Sequence, residues 1–117
     1  MEHARSLRPA DSTILADLGA SYFQKAAKTD DPKLYSSAFE ALSEGARLKP
    51  DDPVLAFNRA LAAEHIFAFN VANEAWQAYL HMDSTSRFAG EAREHLDKVK
   101  KNLNNSAHTP KTQLPTR

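Results

Sequence analysis

Two stretches of the chain begin alike and continue into the same kind of pattern. "LRPADSTILADLG" runs from Leu7 to Gly19, and "LKPDDPVLAFNRA" runs from Leu48 to Ala60. Each begins with leucine, a basic residue and proline, and each then places apolar residues at the spacing of a helix. Because self-similarity is the sequence signature of repeat architectures, this recurrence predicts a fold built from stacked, similar units.

The first half of the chain predicts three amphipathic helices, because apolar residues recur there at intervals of three and four. The first helix is predicted over residues 14–28. Two Asp-Pro pairs follow, at 31–32 and 52–53, and each supplies an N-cap acceptor and a proline at the first helical position. The second helix is therefore expected to begin at the first pair and end near Pro50. The third begins at the second pair and ends near Phe67.

The second half predicts two further helices and a tail. A break at 67–70 precedes a fourth helix, which "MDSTS" ends. A fifth helix, over 87–103, has one apolar stripe that is expected to be buried: Phe88, Ala92, Leu96, Val99 and Leu103. Residues 104–117 are polar and contain two prolines, so they cannot offset the entropy of ordering and are expected to form a disordered tail.

The composition is that of a single all-α domain. There are only three glycines, while alanine, leucine, glutamate and lysine supply strong helix formers. Fifteen basic and fifteen acidic residues balance, so no field of one sign attracts nucleic acid or an anionic membrane. The sequence shows no secretory signal pattern and no long apolar run, so we expect a soluble, cytoplasmic protein that binds neither nucleic acid nor membrane.

The residues that carry chemistry form no catalytic or metal-binding pattern. The absence of cysteine excludes disulfides, thiolate zinc sites and a cysteine nucleophile. The five histidines show no His-Glu-x-x-His spacing, and Glu91 with His95 is best explained as a surface pair on a charged helix. No Gly-x-Ser-x-Gly and no phosphate-binding glycine loop occur. We therefore expect no enzyme activity, no metal and no cofactor.

The spacing of the units matches a known family of helical repeats. Pro50 and Ser84 follow the second and fourth helices and lie 34 residues apart, which is the tetratricopeptide period. The first unit has the family's residue types at Leu18, Gly19, Tyr22, Ala38, Leu42, Gly45 and Pro50. The second unit matches less fully, at Ala60, Ala63, Ala72, Trp76, Tyr79 and Ser84. The chain thus resembles a tetratricopeptide repeat (TPR) array, from which Arg59 departs because leucine is usual there.

The resemblance implies an α-α superhelix of antiparallel helix hairpins with a C-terminal capping helix. Residues 1–103 would form the repeat domain. Within it, 1–9 would be the end of a preceding repeat, 12–50 the first repeat with a lengthened loop, 51–84 the second and 87–103 the cap. Small residues such as Gly19 would let the helices of a hairpin approach closely, and large ones such as Leu42 and Trp76 would fill the space between them.

The resemblance also places a binding groove along the first helix of each pair. Its candidate residues, each of which has plain solvated surface as its alternative, are Asp17, Gln24, Phe57, Asn58, Glu64 and His65. Phe57 is the candidate apolar anchor, although the aromatic residues as a set are more simply explained by core packing. The carboxylate clamp of co-chaperone repeats is absent, since only Asn58 is kept at the positions matched by Ala16, Ala20, Asn58, Phe88 and Ala92. A peptide with apolar and basic groups would suit such a groove.

These features predict a non-enzymatic scaffold that binds a protein or peptide. The alternative is a structural, sensor or regulatory segment of a larger protein. A lengthened first loop followed by "FNRALA", "AWQAYL" and a charged closing helix is similar to the repeat regions ahead of caspase-like CHAT peptidase domains in large bacterial proteins. An exposed apolar face on the first helix would favour self-association.

Overall fold

The computed structural model describes the backbone of residues 11–113 and the side chains of residues 11–105. This part of the chain is all-α and contains no strand, which confirms the predicted all-α class. Its helices are α1 (Asp11–Thr29), α2 (Pro32–Leu48), α3 (Pro53–His65), α4 (Phe69–Met82) and α5 (Arg87–Gln113). The segment predicted to end a preceding repeat, residues 1–9, lies outside the described residues.

Both Asp-Pro pairs start a helix, as predicted. The Asp31 side chain accepts a hydrogen bond from the backbone N–H of Lys33 at 3.0 Å. The Asp52 side chain accepts from the N–H groups of Val54 and Leu55 at 2.9 and 3.3 Å. The first turns of α2 and α3 therefore gain acceptors for N–H groups that have no partner within the helix.

The end of α3 is set by a left-handed residue. Phe67 has a φ of 60°, and its N–H donates to the carbonyl of Glu64 at 3.0 Å. The N–H of Ala68 donates to the carbonyl of Ala63 at 2.9 Å. This is the Schellman arrangement, in which a glycine is the usual residue at the position that Phe67 occupies. The helix thus ends at His65, two residues before the predicted boundary at Phe67.

The predicted boundary at Leu103 is too early, because α5 continues to Gln113. A helix that is already formed gains one hydrogen bond for each non-proline residue that it adds, so it can run past its last packed side chain, although Pro110 within this extension has no N–H to donate. The apolar pattern of the sequence ends at Leu103 and gives no signal for this extension.

Each helix packs mainly against the helix before it and the helix after it in the chain. One buried cluster joins α2 to α3 around Leu42 and Leu55. A second joins α3, α4 and α5 around Trp76. Gly19 lies against Leu42 so closely that a β-carbon there would come within 2.5 Å of the Leu42 side chain. The predicted close approach of the first two helices at Gly19, with Leu42 filling the contact, is confirmed.

Two contacts fix the relation of α3 to α5. The ring centroids of Phe57 and Phe88 are 6.0 Å apart, and Oε2 of Glu64 lies 2.9 Å from Nδ1 of His95. Each pair is separated by 31 positions. The two helices therefore run parallel with one constant offset.

Part of the predicted apolar stripes faces solvent. Ile14 on α1, Val54 on α3 and Phe88 on α5 are 64, 62 and 47% exposed. Phe88 was expected on the buried stripe of α5, whereas its neighbour Ala89 is buried instead. The fully buried residues at this side of α5 are Ala89 and Ala92, and Ala92 belongs to the cluster around Trp76. The helix is therefore rotated from the predicted stripe, and Phe88 faces outwards. Among the described helices, none is long and apolar enough to cross a bilayer.

Candidate functional site

A pocket of about 430 Å³ lies where α3 and α5 begin and α4 ends. We call it the α3–α5 pocket. Its lining residues are Pro53, Val54, Phe57, Asn58, Tyr79, Asp83 and Phe88. Most of these side chains are apolar or aromatic, and the polar groups among them are the Asn58 amide, the Asp83 carboxylate and the Tyr79 hydroxyl. Such a combination is typical of sites that bury an apolar group and orient it with a few polar contacts.

The wall of the α3–α5 pocket is a set of edge-to-face aromatic contacts centred on Phe57. The centroid of its ring lies 4.9, 5.2 and 6.0 Å from the ring centroids of Trp76, Tyr79 and Phe88, with interplanar angles of 79 to 86°. Trp76 is fully buried and Tyr79 almost so, while Phe88 is half-exposed. The wall is therefore anchored in the core on one side and open to solvent on the other.

Asp83 gives the pocket a fixed negative charge. Its carboxylate accepts hydrogen bonds from the hydroxyls of Ser86 and Tyr79 and from the N–H groups of Ser86 and Thr85. The bonds from Ser86 and Tyr79 are the main reason that the pKa of Asp83 falls to about 2. Burial, and then the bond to Asp83, raises the pKa of Tyr79. Asp83 is thus ionised and Tyr79 neutral at physiological pH.

A second pocket of about 180 Å³ lies between α1, α2 and α3, and we call it the α1–α3 pocket. Its lining residues are Ala20, Phe23, Gln24, Leu42, Asn58 and Leu61. Asn58 lines this pocket as well as the α3–α5 pocket, so the two are adjacent. The Asn58 amide makes no hydrogen bond with another described residue. The Asn58 amide therefore lies between the α1–α3 pocket and the α3–α5 pocket, without a hydrogen-bond partner among the described residues.

The structure brings together three of the six predicted groove residues and not the others. Gln24, Phe57 and Asn58 line the two pockets. Asp17 is exposed on α1 and lines neither of them. Glu64 and His65 take part in contacts between helices.

Glu64 turns towards α4 and α5. Its Oε2 accepts a hydrogen bond from the indole N–H of Trp76 at 2.6 Å and lies 2.9 Å from Nδ1 of His95. His95 also stacks on Trp76, with ring centroids 4.9 Å apart. The sequence suggested Glu91 as the partner of His95, but the observed contact of His95 is with Glu64 on another helix. Glu64 therefore connects three helices.

His65 belongs to an aromatic group at the opposite end of α3. Its ring is stacked on Tyr35 with centroids 4.3 Å apart and 5° between the planes. Phe23 meets both rings edge to face, at 5.2 Å from His65 and 5.3 Å from Tyr35. This group joins α1, α2 and α3 away from the α3–α5 pocket.

Sequence reasoning missed Val54, Tyr79, Asp83 and Phe88 as lining residues of one pocket. Tyr79 was matched to a repeat position, and Phe88 was assigned to the buried stripe of the fifth helix. Asp83 gave no N-cap signal, because it directly follows α4, and the residue that caps α5 is Ser86, whose hydroxyl accepts from the N–H of Phe88. The meeting of three helix ends depends on packing, so it could not be read from spacing.

Among the side chains of residues 11–105, no group of three or more His, Cys, Asp or Glu is placed to hold a metal ion. No protein-family model, no curated protein and no solved structure matches the chain.

Proposed function

We propose that this chain is a non-enzymatic TPR-like scaffold of the cytoplasm that binds a peptide or protein surface in a groove. The groove runs along α1, α3 and the start of α5. The observation that supports it best is the position of Asn58 between two adjacent pockets, with an amide that no described residue engages. An extended or helical segment could place apolar side chains in both pockets and its backbone on that amide.

The order of helices favours a TPR-like superhelix. Two residues connect α1 to α2 and three connect α3 to α4, and the helices of each pair pack together. Such short connections between packed helices are typical of antiparallel hairpins. The first helix of the second pair, α3, runs parallel to the closing helix α5. Stacked hairpins of this kind leave their first helices along one concave face.

Arg59, the departure from the family's residue types, fits the same packing. Its guanidinium lies 5.0 Å from the centre of the Phe39 ring, and its Nε donates to the Ser43 hydroxyl at 2.8 Å. Partial burial lowers the pKa of Arg59, with Glu74 opposing that shift. Arg59 therefore covers the surface of α2 with its methylene chain and with the guanidinium that faces the Phe39 ring. A leucine at this position would cover the same surface with methyl groups.

The binding chemistry we infer divides between the two pockets. In the α3–α5 pocket, Phe57, Tyr79 and Phe88 would enclose an apolar side chain of the partner. Asp83 would favour a neighbouring basic group, because its charge persists at neutral pH. Asn58 would donate to and accept from the partner's backbone and so fix its register. Binding would follow from burial in a preformed groove.

A phage-displayed random peptide library panned on the full chain tests this proposal. We expect selected peptides to share an apolar residue and to lose about tenfold or more in affinity when Asn58→Ala is tested by calorimetry. Asp17→Asn is the matched control, since Asp17 lies outside both pockets. Selected peptides that bind Asn58→Ala as tightly as the parent would show that the groove is assigned wrongly.

A second candidate function is that of a segment of a larger repeat protein. On the opposite face, α1 and α2 form a pocket of about 290 Å³ whose walls include Leu15, Leu18 and Tyr22. Ile14 and Leu18 are exposed there. An exposed apolar face of this kind favours a neighbouring helix pair as its cover. In-frame stop codons close to both ends of the coding sequence would contradict this candidate, and further repeat-like sequence would support it.

A further inference from the structure

The connection between α3 and α4 carries an aromatic side chain in an unfavourable backbone conformation. Phe67 has a φ of 60° and is 76% exposed. Left-handed backbone is rare for a bulky residue, and glycine or asparagine would adopt it at lower cost. The Phe67 ring touches that of Phe69, at 6.0 Å between centroids. The α3–α4 tip therefore presents a large apolar group to solvent at a measurable cost in backbone energy.

The α3–α5 pocket lies at the other end of the same helix pair. Pro53 and Val54 are the first residues of α3, and Asp83 follows the last residue of α4. Phe67 lies just beyond the C-terminal end of α3. A protruding aromatic group and an open aromatic pocket are thus separated by the length of one helix.

We propose that Phe67 of one copy of this chain enters the α3–α5 pocket of a second copy, so that the chain associates head to tail. Such an interface joins two different surfaces, and it can therefore extend to further copies unless the geometry closes into a ring. The association does not depend on peptide binding. It uses the same pocket, so a bound peptide and a neighbouring copy would exclude each other.

The charges at the two ends of the helix pair are complementary. The contact of Phe23 with His65 places the end of α1 and the start of α2 beside the tip. The constant offset of 31 positions between α3 and α5 places Lys98 level with Phe67. Together, segments 25–33 and 97–101 carry six lysines against three aspartates. The tip end is therefore positive.

The pocket end is negative. The segments beside the pocket, 49–53 and 83–91, carry four carboxylates against two cations. Arg93 adds a third cation, because its guanidinium donates to the Ser84 carbonyl at 2.6 Å, which leaves one negative charge in excess. One of the cations, Arg87, is engaged over the Phe88 ring at 5.4 Å. Two of the carboxylates, Asp52 and Asp83, accept backbone N–H groups at helix starts. A head-to-tail arrangement brings this end against the lysines of the next copy, whereas joining like ends would oppose like charges.

One aromatic side chain in one pocket is a small interface. Stable complexes bury far more surface than this contact offers. Its strength would come from a single buried aromatic anchor, which is the usual form of a binding hot spot. The association should therefore be weak and concentration-dependent, and added salt should weaken it further.

Sedimentation velocity of the full chain over a wide range of concentration tests the proposal. We expect the average mass to rise with concentration, and Phe67→Asn to weaken association about tenfold or more. Asparagine removes the ring and suits a left-handed backbone, so the fold should survive. Val54→Glu, at an exposed position of the pocket, should have the same effect. A chain that remains monomeric throughout would overturn the proposal.

Mixing the two variants separates a head-to-tail interface from any other kind. Phe67→Asn keeps the pocket, and Val54→Glu keeps the tip, so an equimolar mixture should form dimers and stop there. A mixture in which no dimer forms would contradict the proposal. Ile14→Asn is the matched control, since it removes an equally exposed apolar side chain from α1. If Ile14→Asn abolishes association and Phe67→Asn does not, the face of α1 is the interface and the proposal is wrong.

Discussion

Gly19 and Gly90 both lie inside helices but have opposite surroundings. Gly19 is buried, and a β-carbon there would lie 2.5 and 2.7 Å from two atoms of Leu42. At Gly90, the β-carbon position has no atom within 4 Å apart from its two chain neighbours and the backbone of its own helix. Gly19 permits α1 and α2 to meet. Gly90 only increases the backbone entropy that the chain loses when it folds.

We therefore expect alanine to have opposite effects at the two sites. Gly19→Ala should destabilise the fold by about 1–3 kcal/mol, because Leu42 must move from a packed position. Gly90→Ala should stabilise it by about 0.5–1 kcal/mol, because alanine has the higher helix propensity. Urea denaturation of both variants beside the parent measures the difference. A stabilising Gly19→Ala would mean that α1 and α2 are more loosely packed than the structure shows.

Phe67 should be a site of relievable backbone strain. Phe67→Gly is expected to stabilise the monomeric protein by about 1 kcal/mol, because glycine adopts a positive φ without the steric cost borne by other residues. Phe67→Ala is the matched control, since it removes the ring but keeps the β-carbon. Thermal unfolding at low concentration should therefore separate glycine from alanine. Equal effects of the two substitutions would show that the ring, rather than the backbone, determines the change.

Single residues show how far the sequence could predict the site. Phe57 and Asn58 line pockets, and the side of α3 on which they lie follows from the helix register alone. Glu64 was expected in the groove, yet its carboxylate bonds to Trp76 and lies against His95. The side chain's direction depends on how α4 and α5 cross α3, and helix periodicity contains no information on that crossing.

At the scale of the element, the connection between α4 and α5 is held by one carboxylate. Asp83 accepts hydrogen bonds from Tyr79, at the end of α4, and from Ser86, ahead of α5. The Ser86 hydroxyl accepts in turn from the N–H of Phe88 at 3.1 Å. The charge state of Asp83 therefore governs how α4 leads into α5.

This arrangement predicts a defined dependence on pH. Hydrogen bonds from Ser86 and Tyr79 lower the pKa of Asp83 to about 2, below the value of about 3.9 for an unfolded aspartate. A lowered pKa stabilises the fold at higher pH, and that contribution is lost as the pH falls from about 4 to about 2. Asp83→Asn should therefore be less stable than the parent at neutral pH, with a difference that shrinks across this window.

Chemical denaturation at several pH values between neutral and acid measures that difference. Asp17→Asn serves as the control, because Asp17 is exposed on α1 away from the α4–α5 connection. A gap between parent and Asp83→Asn that stays constant down to pH 2 would contradict the assigned role of the carboxylate.

Helix starts were more predictable than helix ends. The Asp-Pro pairs gave the first residues of α2 and α3, because an N-cap and a proline act within a few positions of one another. The end of α3 depends on a left-handed phenylalanine, which no propensity favours. The extension of α5 beyond Leu103 likewise has no residue that announces it, and Pro110 within it argues against a helix.

At the scale of the whole molecule, local stability is expected to differ between helices, because each helix packs mainly on its neighbours in the chain. α3 contacts α2 and α4 along its length, touches α1 and meets α5 through Phe57 and Glu64. α1 packs chiefly on α2 and keeps an exposed apolar face. In such arrays each element depends mainly on its neighbours, so the ends open more easily than the middle.

Native-state hydrogen exchange should follow this order. We expect amides of α1 to exchange about tenfold or more faster than those of α3 and α4, because fewer neighbours must separate to expose them. NMR-detected exchange in low denaturant, residue by residue, makes the comparison. Equal protection of α1 and α3 would show instead that the chain opens only as one unit.

The all-α class and the sequential stacking were predictable because both follow from local pattern and short connections. The α3–α5 pocket was not, since three helix ends form it and only their packing places Asp83 and Phe88 beside Val54. The charge asymmetry between the two ends of α3 also depends on which helices run parallel. Local sequence determines the elements, and their mutual orientation determines the site.

Because α5 lies parallel to α3, the molecule is suited to growth by gene duplication. A copied segment holding one more helix pair, inserted between Ser86 and Arg87, would offer its first helix to the same surface that now receives α5. The present α5 could then pack against the end of the longer stack. Lengthening would add another helix pair without redesign of the existing core, so evolution or a protein engineer could vary the length of the stack in whole units.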